Sequence, residues 1–283
     1  MSPTRSLPLS VLRAAARQAY GDLRPQWFTV TLLPIFGATG LIMAARLFTA
    51  PEDVLASGVT RGAVLIAGSV GVLAGLVIFL IVNETYMDRV SGALLRVRLL
   101  PHGPMVWAVG KAFSVVTQMV VLQVPVLIGL FLCFDLASPT PARIALCLFL
   151  IGLSVLACAP LGFLLGVLVR GVYTAMMLYA VIIVGLAFSG FLLPMTEMPA
   201  WVQVIQAALP PYWSGHLTRW ALVDDPSWEI GGAFHPALAV GVLLAWVVVG
   251  FALVPPVIRR SFRKETIGGL SRMQSTIRSQ SGL

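Results

Sequence analysis

Long apolar runs constrain this chain more than any other feature. Six of them are each long enough, at roughly 20 residues or more, for a helix to cross the hydrocarbon core of a bilayer. They lie near 26–48, 62–83, 105–134, 141–169, 172–193 and 235–258. Only 11% of the residues are charged, against about 25% in soluble domains. The sequence therefore predicts an all-α integral membrane protein with six transmembrane helices in a domain over 26–258.

The two ends of the chain are basic and predict different structures. Leu12, Ala16, Ala19 and Leu23 repeat at helical spacing, so the leader over 1–25 is predicted to contain an amphipathic helix lying on the membrane surface. A disordered basic leader is the alternative. The Ser- and Gly-rich segment 259–283 is predicted to be a flexible tail held to anionic lipid.

The distribution of basic residues predicts the topology. Fifteen of the 19 Lys and Arg residues fall in the two ends and in the segments that share a side with them. By the positive-inside rule, both termini and the 83–104 loop are predicted to be cytoplasmic, in a multi-pass plasma membrane protein. The net charge of +8 does not indicate nucleic acid, because the basic residues lie beside apolar runs instead of forming a basic face with interleaved aromatic residues.

A polar segment separates the second and third apolar runs. Its pattern predicts a short helix over 84–100 lying on the cytoplasmic face of the membrane, ended by Pro101. At helical angles, one side carries Met87, Val90, Leu94 and Val97, and the other carries Arg89 and Arg96. Two interpretations remain open: an amphipathic helix that only rests on lipid, or an element that receives force from a soluble partner.

A second unusual segment, 194–220, precedes the last apolar run. It is too apolar for a solvated loop, yet prolines divide it into pieces too short to span the membrane. We predict a re-entrant or interfacial helical hairpin on the outer side, with its aromatic residues, among them Trp201 and Tyr212, at headgroup depth.

Both segments resemble signatures of type-2 ATP-binding-cassette exporter permeases, most closely the branch that exports drugs and lipids. The first resemblance is carried by Gly92, Leu94, Pro101, Gly110 and Lys111. The second is carried by Pro194, Pro199, Trp201, Pro210 and Arg219. The chain departs from the family pattern at Ala93 and Leu95, where the family usually has Thr and Glu.

The resemblance implies partners and roles for these residues. It implies two copies of a separate ATPase subunit, which would bind ATP and Mg, and a second copy of this chain or of a similar permease, all assembled in membrane lipid. The residues implied to couple to the ATPase are Asp88, Arg89, Gly92, Leu94, Leu95, Arg96, Leu99 and Pro101. Those implied to form a re-entrant gate are Pro194, Pro199, Trp201, Pro210, Tyr212 and Arg219.

The chain carries no recognisable catalytic chemistry of its own. Near Lys111, a phosphate-binding loop would need Gly at 105 and Ser or Thr at 112, where the chain has Met105 and Ala112. No His, Cys or acidic grouping has metal-ligand spacing, and no nucleophile has a matching base. The sequence therefore predicts a transport subunit without cofactor, metal or catalytic residues, and not an enzyme.

The candidate cargo pathway is apolar and contains flexible side chains that can adapt to varied ligands. The candidate residues are Phe28, Phe36, Gln118, Gln123, Met176, Met177, Tyr179, Phe188 and Phe191. This favours export of an amphiphilic drug-like or lipid-like substrate. The alternatives are export of lipid-linked polysaccharide or teichoic-acid precursors, which would need more polar groups in the spans, and a membrane scaffold that transports nothing.

Overall fold

The computed structural model describes residues 9–26, 58–100, 102–133, 140–223 and 225–263, together with isolated positions 37, 40, 43, 55 and 271. These residues form helices and short connections, with no β-strand among them. The all-α prediction is therefore confirmed. The first predicted span, 26–48, lies almost wholly outside the described residues, so the count of six spans stays a prediction.

Five helical stretches in the described residues are long and apolar enough to cross a membrane. The first, Arg61–Val90, consists of α2 (Arg61–Val72) and α3 (Leu76–Val90) joined by a 3-10 turn at Leu73–Gly75. The next three are α5 (Gly103–Cys133), α6 (Pro141–Gly166) and α7 (Val172–Leu186), the last extended by a π-helical turn to Phe191. The fifth is α10 (Pro236–Arg263).

Shorter helices lie at the two ends of the bundle. Helices α1 (Leu9–Leu23) and α4 (Ala93–Arg98) lie at the end predicted to be cytoplasmic. Helices α8 (Ala200–Ala208) and α9 (Pro210–Leu222) form the hairpin predicted for the other end. The hairpin is followed by 3-10 turns at Pro226–Trp228 and Ile230–Gly232.

Glycine allows the closest helix contacts. A side chain at Gly71 of α2 would collide with the Ser214 backbone carbonyl of α9, and one at Gly162 of α6 would press on Ile78 of α3. The pairs Gly71-x-x-x-Gly75 and Gly162-x-x-x-Gly166 are therefore points of close helix approach. Helix α9 packs against α2, α6 and α10 at once, so the short hairpin helix is part of the core.

A side chain of α5 forms hydrogen bonds to the backbone around the 3-10 turn at Leu73–Gly75. Gln123 of α5 is fully buried, and its amide, oriented to match its neighbours, donates to the Val70 carbonyl (2.6 Å) and accepts from the Ala74 amide (3.1 Å). A change from α to 3-10 winding disturbs the regular bonding of a helix. Gln123 supplies the missing partners at this point of the span.

The structure contains a helix in the leader and differs from the prediction at the tail. Val11, Ala15 and Ala19 of α1 are buried and pack on α5, whereas Leu12 and Ala16 are exposed. Contact of the exposed apolar side chains with the membrane surface stays a prediction. At the other end, residues 259–263 belong to α10, so the prediction that a flexible tail begins at residue 259 was wrong for these five residues.

Candidate functional site

The segment predicted as one helix over 84–100 is divided in two. Helix α3 continues from the span through Val90, and Gly92 then takes a left-handed backbone conformation (φ 74°) before α4 begins. Glycine adopts this conformation without steric cost. The prediction of a single surface helix was wrong, and helical angles cannot be carried across Gly92.

Two of the predicted coupling residues, one on each side of Gly92, face the interior. Leu94 is 2% exposed, and the small cavity beside it is also lined by Trp107 and Phe262. Arg89 is buried and donates through Nη2 to the Ser261 hydroxyl of α10 (3.3 Å). Leu94 packs α4 against the spans and Arg89 ties the end of α3 to α10, so the prediction that these two side chains meet the ATPase needs correction.

Asp88 also points into the protein, where it joins a cluster around Lys111 of α5. The Lys111 ammonium lies 2.7 Å from Glu84, 3.2 Å from Asp22 and 3.3 Å from Asp88. The Trp107 indole N–H donates to Asp88 (2.7 Å). One buried lysine thus joins α1, α3 and α5, and its three carboxylate partners leave the cluster with an excess of negative charge.

The side chains left on the surface of this end form a compact patch around α4, which we call the α4 surface. Leu99 and Leu100 are 84% and 60% exposed, Arg96 and Arg98 are exposed, and Leu95 is half-buried. Pro101 lies outside the described residues. An apolar centre with a basic rim is a typical docking surface for a protein partner.

A second buried ionic cluster lies at the opposite end of the bundle. The Arg219 guanidinium of α9 donates through Nε to Glu229 and through Nη1 to the Gly190 carbonyl of the π-helical turn (3.0 Å). His216 Nδ1 lies 2.6 Å from the same carboxylate, and the Tyr212 hydroxyl donates to it (3.1 Å). The Glu229 carboxylate therefore joins the connection before α10 to the hairpin, and the Arg219 guanidinium joins the hairpin to the end of α7.

The charge state of Glu229 follows from its surroundings. Burial alone would raise its pKa, but the Arg219 charge and the hydrogen bonds from His216 and Arg219 outweigh burial and lower the pKa to about 2. The His235 backbone N–H donates to His216 Nε2 (2.9 Å), so Nε2 is the acceptor nitrogen and Nδ1 carries the proton toward Glu229. The cluster is thus an ionised Arg–Glu pair completed by neutral donors.

Sequence reasoning missed Glu229. The chain offers three acidic residues after α9, Asp224, Asp225 and Glu229, and each of them reads as a residue of a solvated loop. The available signal was Arg219 within an apolar segment, since a basic residue there needs a partner. Spacing alone does not choose among the three acids.

The other predicted gate residues divide between surface and interior. Pro194, Pro210 and Tyr212 are buried, whereas Pro199 and Trp201 are exposed. Of the two aromatic residues among them, Trp201 is exposed as expected for contact with lipid headgroups, whereas Tyr212 is buried in the core. The indoles of Trp213 and Trp246 cap the last carbonyls of α8, at Ala207 (2.7 Å) and Ala208 (3.0 Å).

The predicted pathway residues do not form one site. Met176, Met177 and Phe188 lie exposed along α7. Tyr179 packs on Phe79 and donates to Asn83 (3.1 Å), while Phe191 packs against the core. Gln123 bonds to backbone, as described above, and Gln118 is half-buried on α5. Phe28 and Phe36 lie outside the described residues.

These features define a class: a helical multi-pass membrane protein with a short helix at the surface of one end and a buried hairpin at the other. Comparison with a family model identifies the family of this chain. The model described as ABC-2 family transporter protein matches residues 51–254, and the chain belongs to that family. It is therefore a membrane transport subunit of a family whose members generally work with an ATP-binding subunit. Among curated proteins, none matches the chain.

Proposed function

We propose that this chain is the permease subunit of an ATP-driven exporter, working as two permease copies with two separate ATPase subunits that bind ATP and Mg. The observation that carries the proposal is the α4 surface. Its exposed arginines lie on α4 and its exposed leucines follow directly, while buried Leu94 packs α4 against the spans and Arg89 bonds the preceding turn of α3 to α10. A partner that moves α4 would therefore move α3, α5 and α10 with it.

The cargo we propose is amphiphilic, drug-like or lipid-like. The support is the exposed face of α7, whose Met176, Met177 and Phe188 offer soft, apolar contact beside few polar groups. We further propose that the end carrying α4 is cytoplasmic, because the basic residues concentrate there. Cargo would then leave at the end that holds Arg219 and Glu229.

The docking proposal is tested at Leu99. Replacing Leu99 by Asp places a charge among the exposed leucines of the α4 surface, and we expect at least tenfold weaker capture of the partner ATPase subunit. Leu99→Met keeps size and apolarity and serves as the matched control. Capture and export that remain at wild-type levels in Leu99→Asp would contradict the proposal.

A further inference from the structure

The membrane-spanning part of the chain contains an apolar groove that the proposed function does not use. It has a volume of about 370 Å³ and lies between α5, α6 and α10. Every lining side chain is apolar, and Phe113, Phe163 and Phe251 form three of its walls. An apolar lining of this kind offers water no hydrogen-bond partners and favours apolar ligands.

The groove has the depth of one membrane leaflet. Its lining on α5 runs from Met105, in the first turn, to Val116, a rise of about 16 Å at 1.5 Å per residue. Half of a hydrocarbon core of about 30 Å is close to that length. On α10 the lining includes Val254 and Pro255, near the end that carries α4.

These dimensions and the lining favour a lipid acyl chain over other occupants. A drug-sized ligand is normally oriented by a few polar groups among the apolar ones, and this groove has none. A second copy of the chain would cover a protruding surface such as the exposed face of α7 more readily than a recess. Acyl chains are the apolar groups that the bilayer supplies at this depth.

Basic residues on α10 beyond the groove lining indicate the headgroup. Arg259 and Arg260 are exposed and follow the lining residue Pro255 by four and five residues. Basic side chains at this depth attract anionic lipid headgroups. We propose that the groove binds one acyl chain of an anionic phospholipid, with its phosphate beside Arg259 and Arg260. This inference needs only a membrane-embedded chain and is independent of the exporter proposal.

The test is lipid retention in a groove-filling variant. The chain is exchanged into nanodiscs of phosphatidylglycerol and phosphatidylcholine, released in the mass spectrometer, and its bound lipids are counted. Ala112 lines the groove, so Ala112→Phe should lower retained phosphatidylglycerol at least fivefold. Ala252 is exposed on α10 outside the groove, and Ala252→Phe should retain lipid like the wild type. Equal retention in both variants would overturn the inference.

A measurement on the unaltered chain keeps the test valid if Ala112→Phe does not fold. Phosphatidylglycerol carrying a diazirine on its acyl chain should label α5 and α10 at the groove residues, and unlabelled phosphatidylglycerol should compete. Uniform labelling of all lipid-facing spans would overturn the inference. Replacing Arg259 and Arg260 by Gln should reduce the preference for phosphatidylglycerol over phosphatidylcholine several-fold, and an unchanged preference would overturn the headgroup assignment.

Discussion

Arg219 and Glu229 form a buried ion pair that joins the hairpin to the connection before α10. Their pair is completely buried, so removing one partner leaves a charge without compensation in the interior. Replacing Arg219 by Gln should therefore cost about 3–5 kcal/mol of unfolding free energy, measured as a fall in melting temperature in detergent.

The matched control for Arg219→Gln is Arg61→Gln. Arg61 forms an exposed ion pair with Glu197 at 4.0 Å, and such pairs contribute about 0–1 kcal/mol. Equal melting temperatures for Arg219→Gln and Arg61→Gln would contradict the structural role assigned to the buried cluster.

Titration of Glu229 gives a prediction about pH. Its pKa is about 2 in the folded protein and 4.5 without the fold, so the stability from its ionised form is complete above about pH 4.5. That stability is lost as the pH falls toward 2. The melting temperature of the wild type should exceed that of Glu229→Gln by a constant amount from pH 8 to pH 5, and the gap should narrow below pH 4.5. A gap that widens on acidification would reverse the assigned sign.

At the scale of elements, Lys111 holds α1 against α3 and α5. Without its charge, the carboxylates of Asp22, Glu84 and Asp88 would repel one another. Lys111→Gln should therefore loosen α1 and speed tryptic cleavage at Arg17, on the exposed side of α1, about tenfold. Lys111→Arg, which keeps the charge, should be cleaved at close to the wild-type rate. Equal cleavage of Lys111→Gln and wild type would argue against the clamp.

The contact between α2 and α9 leads to a second prediction, about the packing of these two helices. Gly71→Leu would force the two helices apart at the Ser214 carbonyl and should lower stability by more than about 2 kcal/mol. Gly152 of α6 has open space around it, so Gly152→Ala should be neutral or stabilising by up to about 1 kcal/mol. Thermal melting compares the two, and equal melting temperatures would contradict the close contact.

The spans were predictable because their signal is local. Hydropathy alone placed the four later spans close to the helices α5, α6, α7 and α10. The structure of the segment 84–100 was not predictable from periodicity, since one left-handed glycine at 92 changes the helical phase. Whether Leu94 or Leu99 is exposed depends on packing against Trp107 and Phe262, and these contacts form only in the folded bundle.

The whole molecule has its two ionic clusters at opposite ends, and this arrangement makes the topology testable. Ser91 and Ser227 are both exposed, one at each end. With the three native cysteines replaced by alanine, Ser227→Cys should react with a membrane-impermeant maleimide in intact cells. Ser91→Cys should react only in inverted vesicles. The opposite pattern would reverse the proposed orientation and remove the α4 surface from the reach of a cytoplasmic ATPase.

The amide of Gln123 has a mechanical consequence for the transport cycle. Its two bonds hold α5 to the middle of the Arg61–Val90 span at the point where that span changes winding. Sliding of one helix along the other would break both bonds together and strand buried backbone groups in hydrocarbon. Helix α5 and the Arg61–Val90 span should therefore move together as one rigid body whenever the bundle rearranges.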